Sequence, residues 1–229
     1  MKWNSLKTTP RSGIVPLLAV AALAIATWPL GGSLHAQDGV ESLVKSARDG
    51  ELGEVRRLLR SGLDPDQAAS DQRTALTEAC VYGHIDVVEE LVRAGADIDM
   101  RGYHRTPPLV AAADHGHLPI IRYLVYEGAN LDMHDKYGMT AMHYAAKHGE
   151  LHAVKLLLDA GARMELLSIS NETPLFAAAS KGRLDVVAEL ISRGANVEAR
   201  NKSGVTPVEA AWFFGHSSVA GLLESESNR

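Results

Sequence analysis

The chain has 229 residues, of which 46% are hydrophobic and 22% charged, and a formal net charge of −5. So apolar a composition excludes a disordered chain, and the acidic balance argues against nucleic acid as the main ligand. The single cysteine, Cys80, excludes an intrachain disulfide framework.

The first 36 residues carry Lys2, Lys7 and Arg11 and no acid, followed by an apolar run from Ile14 to Leu30 and the stretch Ser33-Leu34-His35-Ala36. A basic start, an Ala/Leu-rich middle and a small-residue exit form a secretory signal pattern. The expectation is removal of residues 1–36, with cleavage after Ala36. The alternative is an uncleaved anchor. The run contains Pro16 and Pro29, and its length is at the lower edge of the ~17–25 residues that span a bilayer. Positive charge stays on the cytoplasmic side in either case, so residues 37–229 are expected in the periplasm or outside the cell, without stable membrane insertion once the signal is cleaved. Cleavage lowers Lys+Arg from 23 to 20 against 28 Asp+Glu, for a net charge of −8.

From there two glycine series run at one constant step. The first is Gly50, Gly83, Gly116, Gly149, Gly182 and Gly215; the second is Gly62, Gly95, Gly128, Gly161 and Gly194. A fixed period of this size marks a stacked array of supersecondary units. Within each unit the local signals are helical. Thr74, Thr140, Thr173 and Thr206 stand where a hydroxyl caps a helix. Pro174 and Pro207 follow at the first helical position, where a missing N–H costs nothing. Pairs of small residues such as Ala111/Ala112 and Ala145/Ala146 allow close helix contact. A second helix shows apolar residues at i, i+3, i+4, as in Ile85, Val88, Leu91 and Val92. The glycines are expected to end both helices. Pro119 falls in the first turn of its helix, where it is tolerated. The turn ahead of the capping threonine has Gly138, Gly204 or Asn171 in three units but Gln72 and Arg105 in two, so those two turns are expected to differ in shape.

The segments TALTEA from Thr74, TAMHYAA from Thr140 and TPLFAAA from Thr173 resemble the ankyrin repeat, with its T-P-L-H-x-A pattern at this period. The resemblance covers nearly all of the chain after residue 40. It implies an all-α solenoid of helix-turn-helix units joined by hairpin-like loops, about six repeats including two caps, at 38–68, 69–101, 102–134, 135–167, 168–200 and 201–224.

The resemblance also implies a protein–protein interaction module without catalytic role or cofactor. The motif repertoire agrees: no nucleophile elbow, phosphate loop, zinc-binding H-E-x-x-H or dinucleotide fingerprint occurs. In ankyrin arrays, loop tips and exposed first-helix positions form a concave groove. The matching positions here are Arg73, Arg101, Tyr103, His104, His134, Lys136 and Tyr137 on the tips. On the first helices they are Tyr82, His115, Lys147, His148 and Lys181. Bases outnumber acids on that side, and Tyr and Arg are favoured at hot spots, so the expected partner is a protein with an acidic surface, bound by a monomer acting as adaptor, stabiliser or inhibitor. Tyr103, Tyr137, Arg101 and Lys136 are expected at the centre. Two alternatives stand beside this reading: a metal site built from His104, His115, His134 and His148, whose spacing fits no ligand motif, and a secreted effector acting on host proteins. His84, His117, His143 and His216 are read as structural, and Cys80 as buried and inert. The sequons at Asn171 and Asn201 are read as chance matches.

Overall fold

The computed structural model describes residues 31–227, with 31–36 as helical backbone. The chain divides into two units, Met1–Ala36 and Gln37–Arg229. The expected signal segment lies outside the described residues apart from that backbone stretch. None of the described helices is long and apolar enough to cross a membrane.

Twelve α-helices occur among the described residues, and no strand, only an isolated bridge between His134 and Thr140. They come as six pairs: α1 (Gly31–Asp49) with α2 (Leu52–Arg60), α3 (Ala75–Tyr82) with α4 (Ile85–Arg93), α5 (Pro108–Asp114) with α6 (Leu118–Tyr126), α7 (Ala141–His148) with α8 (Leu151–Asp159), α9 (Pro174–Ser180) with α10 (Leu184–Ser192), and α11 (Pro207–Phe213) with α12 (Ser217–Ser227). This is the all-α repeat solenoid that the period implied.

Four of the first helices, α3, α7, α9 and α11, start where a threonine stands. The hydroxyls of Thr74, Thr140, Thr173 and Thr206 accept the backbone N–H three residues on, at 3.2–3.4 Å, satisfying one of the donors a helix start leaves orphaned. In α7 and α11 the bond is reciprocated: the side chains of His143 and Glu209 accept the N–H of Thr140 and Thr206. Helices α3 and α7 stop at Gly83 and Gly149, both left-handed with φ 82°.

The residue after that glycine caps a neighbour rather than its own helix. His84 Nε2 lies 2.9 Å from the Arg48 carbonyl, His117 Nε2 2.9 Å from that of Val81, and Arg183 Nε donates to that of Lys147 at 3.0 Å. Each reaches the end of the preceding repeat's first helix, where carbonyls lack an intrahelical partner.

First helices α3, α5, α7, α9 and α11 pack one against the next as an inner row, and α2, α4, α6, α8, α10 and α12 do the same outside it. Ala111, Ala112, Ala145, Ala146, Ala178 and Ala179 are buried between rows; small side chains there let the helix axes close up. Cys80 occupies one such position, fully buried, and burial pushes its thiol pKa up, away from the thiolate that reactivity needs. Val87, Val88 and Leu91 of α4 and Ile120, Ile121 and Leu124 of α6 supply the buried stripe of the outer row.

A further periodic bond ties the loops that follow the outer helices. Carboxylates of Asp66, Asp99, Asp132 and Glu165 accept the backbone N–H of Asp97, Asn130, Arg163 and Asn196, one repeat on, at 2.8–3.0 Å. These acids recur once per repeat at a single phase. Singly, each reads as solvated surface; their common phase is the signal that they hold one repeat to the next.

Candidate protein-binding surface

Five fingers connect the repeats: 69–73, 102–106, 135–139, 168–172 and 201–205. Each is closed by two backbone bonds, as in Asp135 N–H to Met139 O and Gly138 N–H to Asp135 O, both 3.1 Å. The fourth residue is left-handed in all five: Gln72 φ 68°, Arg105 60°, Gly138 72°, Asn171 57°, Gly204 78°. The expected difference at Gln72 is therefore corrected: that turn keeps both bonds, because its backbone takes up positive φ despite the side chain. The turn at Arg105 does differ. His104 is left-handed too, at φ 59°, inside a 3-10 turn over Tyr103–Arg105.

The last four fingers are linked edge to edge. Lys136 N–H donates to His104 O at 3.2 Å, Ile169 to Tyr137 at 2.9 Å and Lys202 to Ser170 at 2.9 Å. Three of them are braced from inside by their first residue. Asp135 Oδ1 accepts from Tyr137 and Met139 N–H at 2.8 and 3.0 Å, Asn201 Oδ1 from Ser203 and Val205 at 2.9 and 3.0 Å, and Ser168 Oγ from Ser170 and Glu172 at 3.2 Å each. Buried Asp135 also accepts the Tyr144 hydroxyl at 2.8 Å, joining finger to α7. Burial, with that carboxylate alongside, drives the Tyr144 phenol pKa far up.

The cationic candidates fall into two groups. Arg73 is engaged by Asp71 at 2.6 Å and Glu78 at 3.4 Å. Arg101 donates through Nη1 to the carbonyls of His134 at 2.6 Å and Arg105 at 3.3 Å, so one nitrogen of its guanidinium braces two fingers. Carbonyls at the finger base lie within reach of its fork. Lysines 136, 147 and 181, by contrast, form no ion pair among the described residues. Lys136 sits 4.8 Å over the Tyr137 ring and Lys147 5.4 Å over that of Tyr144.

The four histidines of the metal alternative are not brought together as a ligand set. His115 Nδ1 is 3.0 Å from Ala111 O, His134 Nδ1 2.9 Å from Asp135 O, His148 Nε2 3.0 Å from Asp114 Oδ1, and the His104 ring lies against that of Tyr103, tilted by 33° with centroids 3.6 Å apart. No group of three or more His, Cys, Asp or Glu suited to a metal occurs among the described residues.

What the fingers and inner helices do build is a groove further along the stack. A hollow of about 400 Å³ is lined by Tyr137, Met139, Tyr144, Lys147, Phe176 and Lys181, among others. It shares Glu172, Phe176 and Phe214 with a second hollow of about 560 Å³ that runs on past Val205, Glu209 and Phe213. Tyr137, Lys147 and Lys181 were candidates from the sequence, and Tyr82 and Tyr103 lie exposed elsewhere, at the end of α3 and on the 102–106 finger. Tyr144 and Phe176 were not among the candidates: each falls inside a first helix at a core position and is buried, 8% and 6% exposed, while still lining the base of the hollow. Phe176 takes the place that His143 has in the preceding repeat. Desolvation raises the Glu172 carboxyl pKa against the opposing pull of Lys147. The arrangement therefore offers an aromatic floor with two lysines on its rim.

Family models described as ankyrin repeats match residues 18–102 and 102–168, and again 175–223. No curated protein matches the chain.

Proposed function

The chain belongs to the ankyrin-repeat family, a fold that generally mediates protein–protein interaction, and on that footing we propose that it is an exported, non-catalytic protein holding a partner protein in the groove over repeats four to six, as adaptor, stabiliser or inhibitor. The observation that carries this reading is the pair of joined hollows floored by Tyr144, Phe176 and Phe214 and rimmed by Lys147 and Lys181. The exposed rings of Tyr137, Phe213 and Phe214 supply apolar area, while the lysines favour a partner with acidic groups and steer its approach. The centre of recognition thus moves from Tyr103 and Arg101 toward Tyr137, Lys147 and Lys181. Export rests on the pattern of Lys2, Lys7, Arg11 and the apolar run to Leu30.

The test is recovery of partners from a periplasmic extract with the wild-type chain and with Tyr137→Ala/Lys147→Glu/Lys181→Glu. A protein retained by the first and lost by the second supports the groove. The same proteins recovered by both would remove it. Fractionation checks export separately: a chain held in the cytoplasm with residues 1–36 intact would sink that part alone.

A further inference from the structure

The outer row of helices is laced by ion pairs between adjacent repeats. Arg56 of α2 meets Glu90 of α4 at 3.0 Å, and Lys155 of α8 meets Glu189 of α10 at 3.6 Å, the two pairs standing at equivalent positions of their repeats. Asp159 and Arg193 add a third bridge at 2.8 Å. The same step along the chain sets Glu89 against Tyr123 and Arg122 against Leu156. Among the described residues no ion pair joins α4 to α6 or α6 to α8, and Glu89 and Arg122 form none at all. The place of the lacing is taken by apolar surface. The position occupied by Arg60, Arg93, Asp159 and Ser192 in other repeats is Tyr126 here, 85% exposed. With Ile85, Leu118, Pro119 and Tyr123 it borders a hollow of about 580 Å³, with Glu89 and Arg122 on its margins.

We propose that this outer face of the second and third repeats binds a second copy of the chain. The argument is self-complementarity. Glu89 and Arg122 occupy the same position of adjacent repeats, on helices that pack side by side. A two-fold axis lying in the plane of the contact, parallel to α4 and α6 and midway between them, exchanges the two helices across the interface. It therefore lays Glu89 of one copy against Arg122 of the other, twice, and packs Tyr126 of each copy over the facing apolar hollow. Such an isologous contact is the commonest way that identical chains associate. It gives each unpaired charge the partner that Tyr123 and Leu156 deny it within its own stack. A partner of different sequence has no reason to require both an acid and a base at equivalent positions. The inference replaces the monomer expected from the sequence. It does not depend on the finger-side groove, which lies on the opposite row of helices.

So small a patch belongs with weak interfaces, for which a Kd on the order of 10–100 µM is expected. Sedimentation of the full chain from about 1 to about 200 µM brackets that range and should show its mass rising from 24.6 kDa toward twice that value. Glu89→Arg alone, or Arg122→Glu alone, should weaken association at least about tenfold, since like charges then face each other. The double variant Glu89→Arg/Arg122→Glu should restore it. Tyr126→Ser should weaken it, and the groove variant Tyr137→Ala/Lys147→Glu/Lys181→Glu should leave it unchanged. Each substituted outer-face side chain is exposed or half-buried, and urea midpoints verify that the variants remain folded. A chain monomeric throughout the range overturns the proposal. So does association that survives Tyr126→Ser, or that the double charge swap fails to restore.

Discussion

The finger at Asp135–Met139 and the finger at Gly102–Thr106 make the same pair of closing bonds from different residues. In the first, Asp135 collects two backbone N–H groups and the Tyr144 hydroxyl, and Gly138 takes the left-handed position. In the second, no side chain stands at Gly102, and two residues with side chains, His104 and Arg105, take positive φ. Gly102 itself lies so close to Thr77 that a Cβ there would come within 2.7 Å of Oγ1. The turn shape is thus demanded by the stack. Repeat four meets the demand through its own side chains, and repeat three meets it by bearing backbone conformations that L-residues disfavour.

The largest effect should come from removing the internal brace. Asp135→Ala orphans two N–H groups and a buried hydroxyl, and should lower unfolding free energy by about 3 kcal/mol in urea titration. No such device exists in the Gly102 finger to lose. Gly138→Ala comes next, at about 2 kcal/mol: the residue sits at φ 72°, and its new Cβ would approach the Ile169 backbone nitrogen to 2.8 Å. An unchanged midpoint for either variant would mean that the fingers are not coupled to the stack.

The third effect is a pH dependence carried by His143, whose place is taken by Thr77, Val110, Phe176 and Glu209 in other repeats. His143 accepts the Thr140 N–H on Nδ1 at 3.2 Å, so its Nε2–H donates to Glu172 O at 3.0 Å, and the ring is held neutral. Burial lowers its pKa, outweighing the Glu172 carbonyl and Asp135. A folded pKa below the unfolded value of about 6.5 means that the unfolded chain takes up the proton first. Stability is therefore fully present above that pH and declines as pH falls through the window below it. The slope is at most about 1.4 kcal/mol per pH unit for one proton. His143→Gln should flatten the dependence relative to wild type when urea midpoints are compared from pH 7 to pH 5. Equal slopes would show that the ring does not titrate as its burial implies.

The smallest effect has the opposite sign. Arg105→Gly relieves a left-handed side-chain-bearing residue at φ 60°, and after the extra entropy of glycine in the unfolded chain should stabilise by about 0.5–1 kcal/mol. A loss of stability on this change would mean that the Arg105 side chain, not its backbone, shapes the finger.

Much of this architecture was legible before any coordinates, because it is written in residues that act locally. A threonine cap, a proline at the first helical position and a glycine at a left-handed stop each work through the backbone within one helical turn, so their order along the chain reveals them. The constant period then fixes how many units there are. Bonds that cross between repeats were legible only in phase. The acids Asp66, Asp99, Asp132 and Glu165 share one phase of the repeat, yet nothing about a single aspartate says that it holds the next loop.

The binding face divided along the same line. Finger and first-helix positions followed from the repeat, but which cations are available did not. Arg73 and Arg101 read like Lys147 and Lys181 in sequence. Only in the folded chain do Asp71, Glu78 and two finger carbonyls engage the arginines while the lysines form no ion pair among the described residues. Tyr144 and Phe176 likewise read as core and are buried, yet in the folded chain they also line the base of a hollow. The sequence alone determined the repeat, its caps and its count, since these depend on neighbours along the chain. The tertiary structure decided which charges are paired and which aromatics meet a hollow, since those depend on residues a whole repeat away whose side chains the stack brings into contact.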